Sequence, residues 1–150
     1  MTTRDELVSK LKQSSIRLTP QRLAVAEVVV NSSDHPSVKE VFERVKDFFP
    51  YVTLATVYST LSVLKEAAIV RELPFQKQSR YDANTSPHVN LVCVNCGSVV
   101  DANVGQKMVA ELRRGLESST DFRLAGQRVD FYGWCSGCSK TSNREARPAG

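Results

Sequence analysis

Apolar residues recur at three- and four-residue intervals through the first half of the chain, and the intervals break where proline, asparagine, serine and aspartate cluster. Arg4 to Ser14 reads as a short helix. Thr19-Pro20 supplies an N-cap followed by proline at the first helical position, which predicts a second helix carrying Leu23 through Val30 inward. Asn31 to Pro36 ends it. Ser37-Val38-Lys39-Glu40 is a capping box, and Val38, Val41, Phe42, Val45 and Phe49 follow at helical spacing. A fourth helix is predicted after Thr53, with Leu54, Val57, Leu61, Leu64 and Ala68 on one apolar face. Ile69 to Leu73 and Ser79 to Asp82 then bracket turn residues around Pro74 to Gln78 and read as a two-stranded hairpin. Helices followed by a hairpin in this order predict a winged helix-turn-helix.

The second half changes character after Ala83-Asn84-Thr85-Ser86-Pro87, a candidate hinge. Val89 to Val92 and Ser98 to Asp101 read as short strands flanking Cys93-Val94-Asn95-Cys96-Gly97. Val104, Met108, Leu112 and Leu116 form a helical stripe that serves as core or as a dimer interface. Phe122 to Trp134 reads as a final strand running into Cys135-Ser136-Gly137-Cys138. The fold class expected is α+β: a winged helix-turn-helix over 1–82, a hinge over 83–87, a small α/β domain over 88–140 and a disordered tail over 141–150.

Composition narrows the chemistry. The four cysteines fall into two pairs of identical spacing. Free thiols or redox pairs are the alternative, but two Cys-x-x-Cys knuckles with glycine in or beside each turn predict a four-sulfur zinc cage. Such a cage is closed to substrate and supports a thin core. No apolar run is long enough to cross a bilayer and the N-terminus lacks a secretion signal, so a cytosolic protein is expected, where paired cysteines favour metal over disulfide. The net charge of +4 permits a nucleic-acid partner without demanding one, because acids and bases are interspersed. A stronger indication is the polar side of the fourth helix, where Thr56, Tyr58, Ser59, Thr60 and Ser62 replace the usual glutamate and lysine. Short hydroxyl-bearing groups can approach phosphates and base edges closely.

The segments Arg17-Leu18-Thr19-Pro20-Gln21-Arg22, His35-Pro36-Ser37, Leu54-Ala55-Thr56-Val57-Tyr58, Ser79-Arg80-Tyr81-Asp82, His88 to Cys93 with Cys96-Gly97, and Tyr132-Gly133 with Cys135 and Cys138 lie in order over nearly the whole chain. Together they resemble the Fur family of metal-dependent repressors, and most of all its peroxide-sensing PerR branch. The resemblance implies a homodimer, with an N-terminal DNA-binding domain and a C-terminal dimerisation domain, that binds pseudo-palindromic double-stranded operators when a regulatory metal is in place. It implies structural zinc on Cys93, Cys96, Cys135 and Cys138, and regulatory Fe(II) or Mn(II) on His35, Asp82, His88, Asn90 and Asp101. DNA contacts are expected from Thr56, Tyr58, Ser59 and Thr60 in the groove and from Arg17, Thr19, Arg22 and Arg80 on phosphates or in the wing.

The chain departs from the family pattern at three places. Asn90 stands where an imidazole is commoner, giving two nitrogens and three oxygens, a set suited to Fe(II) or Mn(II). Ser59 stands where many relatives carry arginine or asparagine. No histidine follows His88, and Ala125-Gly126-Gln127 occupies the place where some members carry a further metal-binding histidine. The resemblance also implies the output: Fe-catalysed oxidation of His35 or His88 by peroxide would release the DNA. The alternatives are an iron- or manganese-availability repressor without oxidation and, from another class, a redox-switched zinc chaperone. An enzyme is not expected, because the cage is closed and two histidines leave few general bases.

Overall fold

A computed structural model of the chain describes residues 3–75, 78–102 and 104–140. The segment expected to be a disordered tail lies outside the described residues, as does the centre of the hairpin turn. The chain divides into two compact units, one ending at Ser86 and the other beginning at Pro87. Among the described residues no helix is long and apolar enough to cross a membrane.

The first unit holds four helices and a hairpin: α1 (Arg4–Gln13), α2 (Pro20–Val30), α3 (Val38–Lys46), α4 (Leu54–Glu66), β1 (Arg71–Pro74) and β2 (Ser79–Asp82). Each helix starts where a hydroxyl can satisfy an orphan backbone N–H. Thr3, Thr19, Ser37 and Thr53 all accept from the N3 amide, and Glu6 and Glu40 complete reciprocal capping boxes. The apolar faces converge on one core containing Leu7, Leu11, Val25, Val29, Val41, Val45, Val57, Leu61 and Leu64. Each such side chain contributes roughly 1.5–3 kcal/mol by burial.

α1 and α4 end alike. Ser15 and Ala68 take left-handed conformations, with φ of 56° and 54°. The amides two residues past each C-cap, Ile16 and Ile69, reach back to the carbonyls of Leu11 and Leu64 at 3.1 and 2.9 Å, closing Schellman motifs. This turn explains why the first wing strand starts at Arg71 instead of Ile69. β1 and β2 pair antiparallel, with Arg71 opposite Asp82 and Pro74 opposite Ser79.

The second unit is a three-stranded sheet in the order β4-β3-β5, with a helix and a final helical turn: β3 (Val89–Cys93), β4 (Val99–Ala102), α5 (Gln106–Ser119), β5 (Val129–Gly133) and α6 (Ser136–Ser139). β3 is central, antiparallel to β4 and parallel to β5. The expected strand from Phe122 is shorter than its sequence pattern, because pairing is exhausted at Val89 opposite Val129. Val104 precedes α5, which begins after Gly105 at a φ of 91°. The apolar core is thin: among the described residues its buried members are Val89, Val92, Cys93 and Val99. The stripe Met108, Leu112 and Leu116 is exposed in the single chain, as are Leu91, Val100 and Phe131. It is therefore surface of this unit and not its core.

Candidate metal centres

The four cysteines meet at one end of the sheet. The first knuckle follows β3, where the Gly97 amide donates to the Cys93 carbonyl at 2.9 Å and Gly97 takes a φ of 73°. The parallel pairing of β5 with β3 brings Gly133 beside Cys93, and α6 then turns the second knuckle, with Cys135 as its N-cap. All four Sγ atoms lie within 4.8 Å of one another, and Cys96 and Cys135 are 3.8 Å apart. A tetrahedron with Zn–S bonds of about 2.3 Å has edges of about 3.8 Å, so the cage fits zinc. Burial pushes the Cys93 thiol up, but N–H groups of Cys135, Cys96 and Asn95 outweigh it and bring the pKa down to about 6. Cys138 moves the other way: a hydrogen bond from Asn95 lowers it, while Cys135, burial and the other two thiols raise it to about 11. Four thiolates this close repel one another, and a divalent cation is what allows all of them to ionise. This is the structural zinc site.

In the first unit His35 and Asp82 form a buried pair, with His35 Nε2 3.5 Å from Asp82 Oδ1. His35 sits in the loop before α3 with a φ of 49°, a left-handed conformation that costs roughly 1–2 kcal/mol outside glycine. β2 holds it there. The Tyr81 amide donates to the Pro36 carbonyl at 3.0 Å, and the Arg80 guanidinium donates to the His35 carbonyl at 2.9 Å. Arg80 also pairs with Glu40 at 3.2 Å, the same carboxylate that accepts from the Ser37 amide at 2.7 Å. Asp82 is braced by the Asn84 amide at 2.7 Å.

In the second unit three donors share one face of the sheet. His88 immediately precedes β3, Asn90 lies two residues on within the strand, and Asp101 is directly opposite Asn90 on β4. His88 Nε2 lies 3.2 Å from Asn90 Oδ1 and 3.4 Å from Asp101 Oδ1. Adjacent ligands of an octahedral ion with bonds of about 2.1 Å are about 3 Å apart, so one nitrogen and two oxygens are spaced to hold one hard divalent cation. Asn90 is 1% exposed, and its Nδ2 donates to Asp130 at 3.0 Å. Asp130 was not among the residues expected here, since it enters only through the parallel pairing of β5.

The residues expected to touch DNA divide. Tyr58 and Ser59 are exposed on α4, and Arg17 is exposed before α2. Thr56 is half-buried beside the Thr53 hydroxyl, 3.1 Å away. Thr19 caps α2, and Arg22 donates to the Arg17 carbonyl at 3.1 Å. Two of these residues are buried. Thr60 is 2% exposed and donates to the Thr56 carbonyl at 2.7 Å, because it lies on the same side of α4 as Val57 and Leu64. Arg80 is 7% exposed and donates to the His35 carbonyl from within the wing. Tyr51, three residues before α4, is 91% exposed, an aromatic group that the spacing of apolar residues did not indicate.

The sequence model of the ferric uptake regulator family matches residues 13–132. The peroxide-responsive repressor PerR of Staphylococcus aureus is 36% identical over 135 residues, covering 89% of this chain and 90% of its own. The Campylobacter jejuni peroxide stress regulator is 26% identical with a TM-score of 0.71, over 92% of this chain and 100% of its own. The Helicobacter pylori ferric uptake regulator, whose structure reveals three functional metal binding sites, has a TM-score of 0.76 over 92% of this chain and 95% of its own. At 19% identity that match speaks for the fold alone. The chain belongs to the ferric uptake regulator family. Proteins of this family are DNA-binding, metal-responsive transcriptional regulators, not enzymes. Other solved members are described as zinc-bound, with manganese or with iron.

Proposed function

We propose that the chain is a metal-gated repressor that senses hydrogen peroxide, acting in the cytoplasm as a homodimer on pseudo-palindromic operators. The observation that carries this is the pair of donor sets on either side of the 83–87 segment: His35 with Asp82 before it, and His88, Asn90 and Asp101 after it. Together they would hold one regulatory Fe(II) or Mn(II). Such a bridge would fix the angle between an N-terminal DNA-binding domain and a C-terminal dimerisation domain across a hinge at 83–87. The recognition helices, α4 of each protomer, would then enter successive major grooves about 34–36 Å apart. Tyr58 and Ser59 would approach base edges, with Thr56 beside them, and Arg17, Thr19 and Arg22 would lie along the phosphates. A chain with its two donor sets unbridged would pay the ordering entropy on DNA, and affinity would fall.

Bound Fe(II) would supply electrons to peroxide and so generate an oxidant beside the imidazoles. His35 and His88 are the oxidisable ligands; the other three offer only amide or carboxylate oxygens. Adding an oxygen atom to either ring removes a nitrogen donor, and a thiol reductant does not restore it. The switch is consumed on use.

Fe- and Mn-loaded protein should be exposed to micromolar peroxide and added oxygen mapped by mass spectrometry. Oxygen on His35 or His88 in the Fe form alone, with loss of operator binding, is the expected result. Unmodified histidines with DNA binding intact would leave an iron- or manganese-availability repressor. Zinc loss from the cysteine cage before any histidine change would instead favour the redox-switched chaperone.

A further inference from the structure

One carboxylate outside the donor set controls which way a donor faces. Residues directly paired across strands project from the same sheet face, so Asp101, Asn90 and Asp130 form a row across β4, β3 and β5. Within that row Asn90 Nδ2 donates to Asp130 Oδ1 at 3.0 Å, and Asn90 Oδ1 faces His88 Nε2 at 3.2 Å. The two ends of a carboxamide are nearly alike in shape, so packing alone does not choose between them; hydrogen-bond partners do. An ionised carboxylate accepts and never donates. Asp130 therefore takes the NH2 end and repels the oxygen. Its side chain, 7% exposed, is itself held by Arg128 Nε at 2.8 Å and by the Tyr132 hydroxyl at 3.5 Å.

We propose that Asp130 is a positioning residue for the regulatory cation: by capturing the NH2 of Asn90 it presents the amide oxygen, and not the amide hydrogens, to a hard divalent ion such as Mn(II). This rests on the regulatory site proposed above. It gives a reason why an amide can stand where an imidazole is commoner. An imidazole presents a nitrogen by its ring geometry, whereas an amide needs a second group to set its direction. Without Asp130 the turned amide would aim two partial positive charges at the ion.

The test is Mn(II) affinity of the zinc-loaded full chain, by competition with a fluorescent chelator, with zinc content and thermal unfolding measured alongside. Asp130→Ala is expected to weaken Mn(II) binding by about 10–100-fold, the usual cost of losing an outer-shell partner. In an Asn90→Ala background the same change should alter affinity by no more than about twofold, because there is no amide left to aim. Equal losses with and without Asn90, or no loss at all, would overturn the proposal while leaving the metal site standing. His88→Ala separates the two claims, since unchanged Mn(II) binding in that variant removes the site and the proposal together. If Asp130→Ala does not retain zinc, the isosteric Asp130→Asn carries the test. It should weaken binding toward the lower end of that range, about 10-fold, because its own amide can turn. Adding Asn90→Asp should restore binding by exchanging donor and acceptor across the pair. Failure of either step would count against Asp130.

Discussion

Arg80→Met separates a structural clamp from a DNA contact, and the structure sets the size of the effect. The substitution keeps most of the apolar stem and removes the guanidinium. The His35 carbonyl loses a charged donor at 2.9 Å in a buried loop, a loss of roughly 1–3 kcal/mol. The pair with Glu40 adds little, because that carboxylate is 42% exposed and keeps its bond from the Ser37 amide; about 0–1 kcal/mol is appropriate. A total of about 1–4 kcal/mol should lower the unfolding temperature of the first unit by on the order of 10 °C. There is a second consequence. His35 is held at a φ of 49° by this contact, so releasing it should let the loop relax and weaken Mn(II) binding as well. Thermal unfolding followed by circular dichroism, with Mn(II) titration, reads both. Arg17→Ala is the control: it should leave stability unchanged, weaken operator binding and reduce the salt slope by about one. An Arg80→Met protein with wild-type stability and Mn(II) affinity, but a reduced salt slope, would refute the clamp and restore Arg80 as a phosphate contact.

Ala68→Gly should stabilise the first unit by roughly 0.5–1 kcal/mol in urea unfolding, since a left-handed C′ position favours glycine; a loss would contradict the Schellman geometry. Removing zinc with a strong chelator should unfold the second unit, whose buried apolar core among the described residues is Val89, Val92, Cys93 and Val99. Trp134, the single tryptophan and neighbour of Cys135, should report this as a red-shifted emission, and an unshifted spectrum with zinc gone would contradict it. Burial pushes Glu40 up, but the Ser37 amide, the Ser37 hydroxyl and Arg80 pull it lower still, so its folded pKa lies below the unfolded one. Its contribution is therefore complete above the ordinary glutamate range and lost as pH falls through the lowered value. Between about pH 6 and about pH 3 the wild type should lose more stability than Glu40→Gln. Equal losses would exclude this contribution.

What could be read from the sequence was local or periodic. Thr19, Ser37 and Thr53 announce their helices because a cap acts on an amide three residues away. His88 and Asn90, two residues apart at the start of β3, come to one side because the period of extended chain is two, and the knuckles declare themselves by spacing. What was missed depends on pairings between distant segments. Asp130 meets Asn90 only through a parallel register linking positions forty residues apart, and no local pattern encodes that partner. Arg80 turns inward because β2 passes beside the 35–37 loop, which amphipathicity alone does not reveal. Thr60 is different. Its spacing of three from Val57 and four from Leu64 placed it on the buried side of α4, and the hydroxyl drew attention away from that signal.

The central claim is that a metal held by donors from both sides of the 83–87 segment controls DNA binding. Operator affinity should therefore be measured for zinc-loaded wild type and His35→Ala as Fe(II), Mn(II) and further Zn(II) are titrated. The account predicts that Fe(II) or Mn(II) raises wild-type affinity by at least about tenfold, or about 1.4 kcal/mol of coupling, and leaves His35→Ala unchanged. Equal affinity in all samples, with and without added metal, would contradict it.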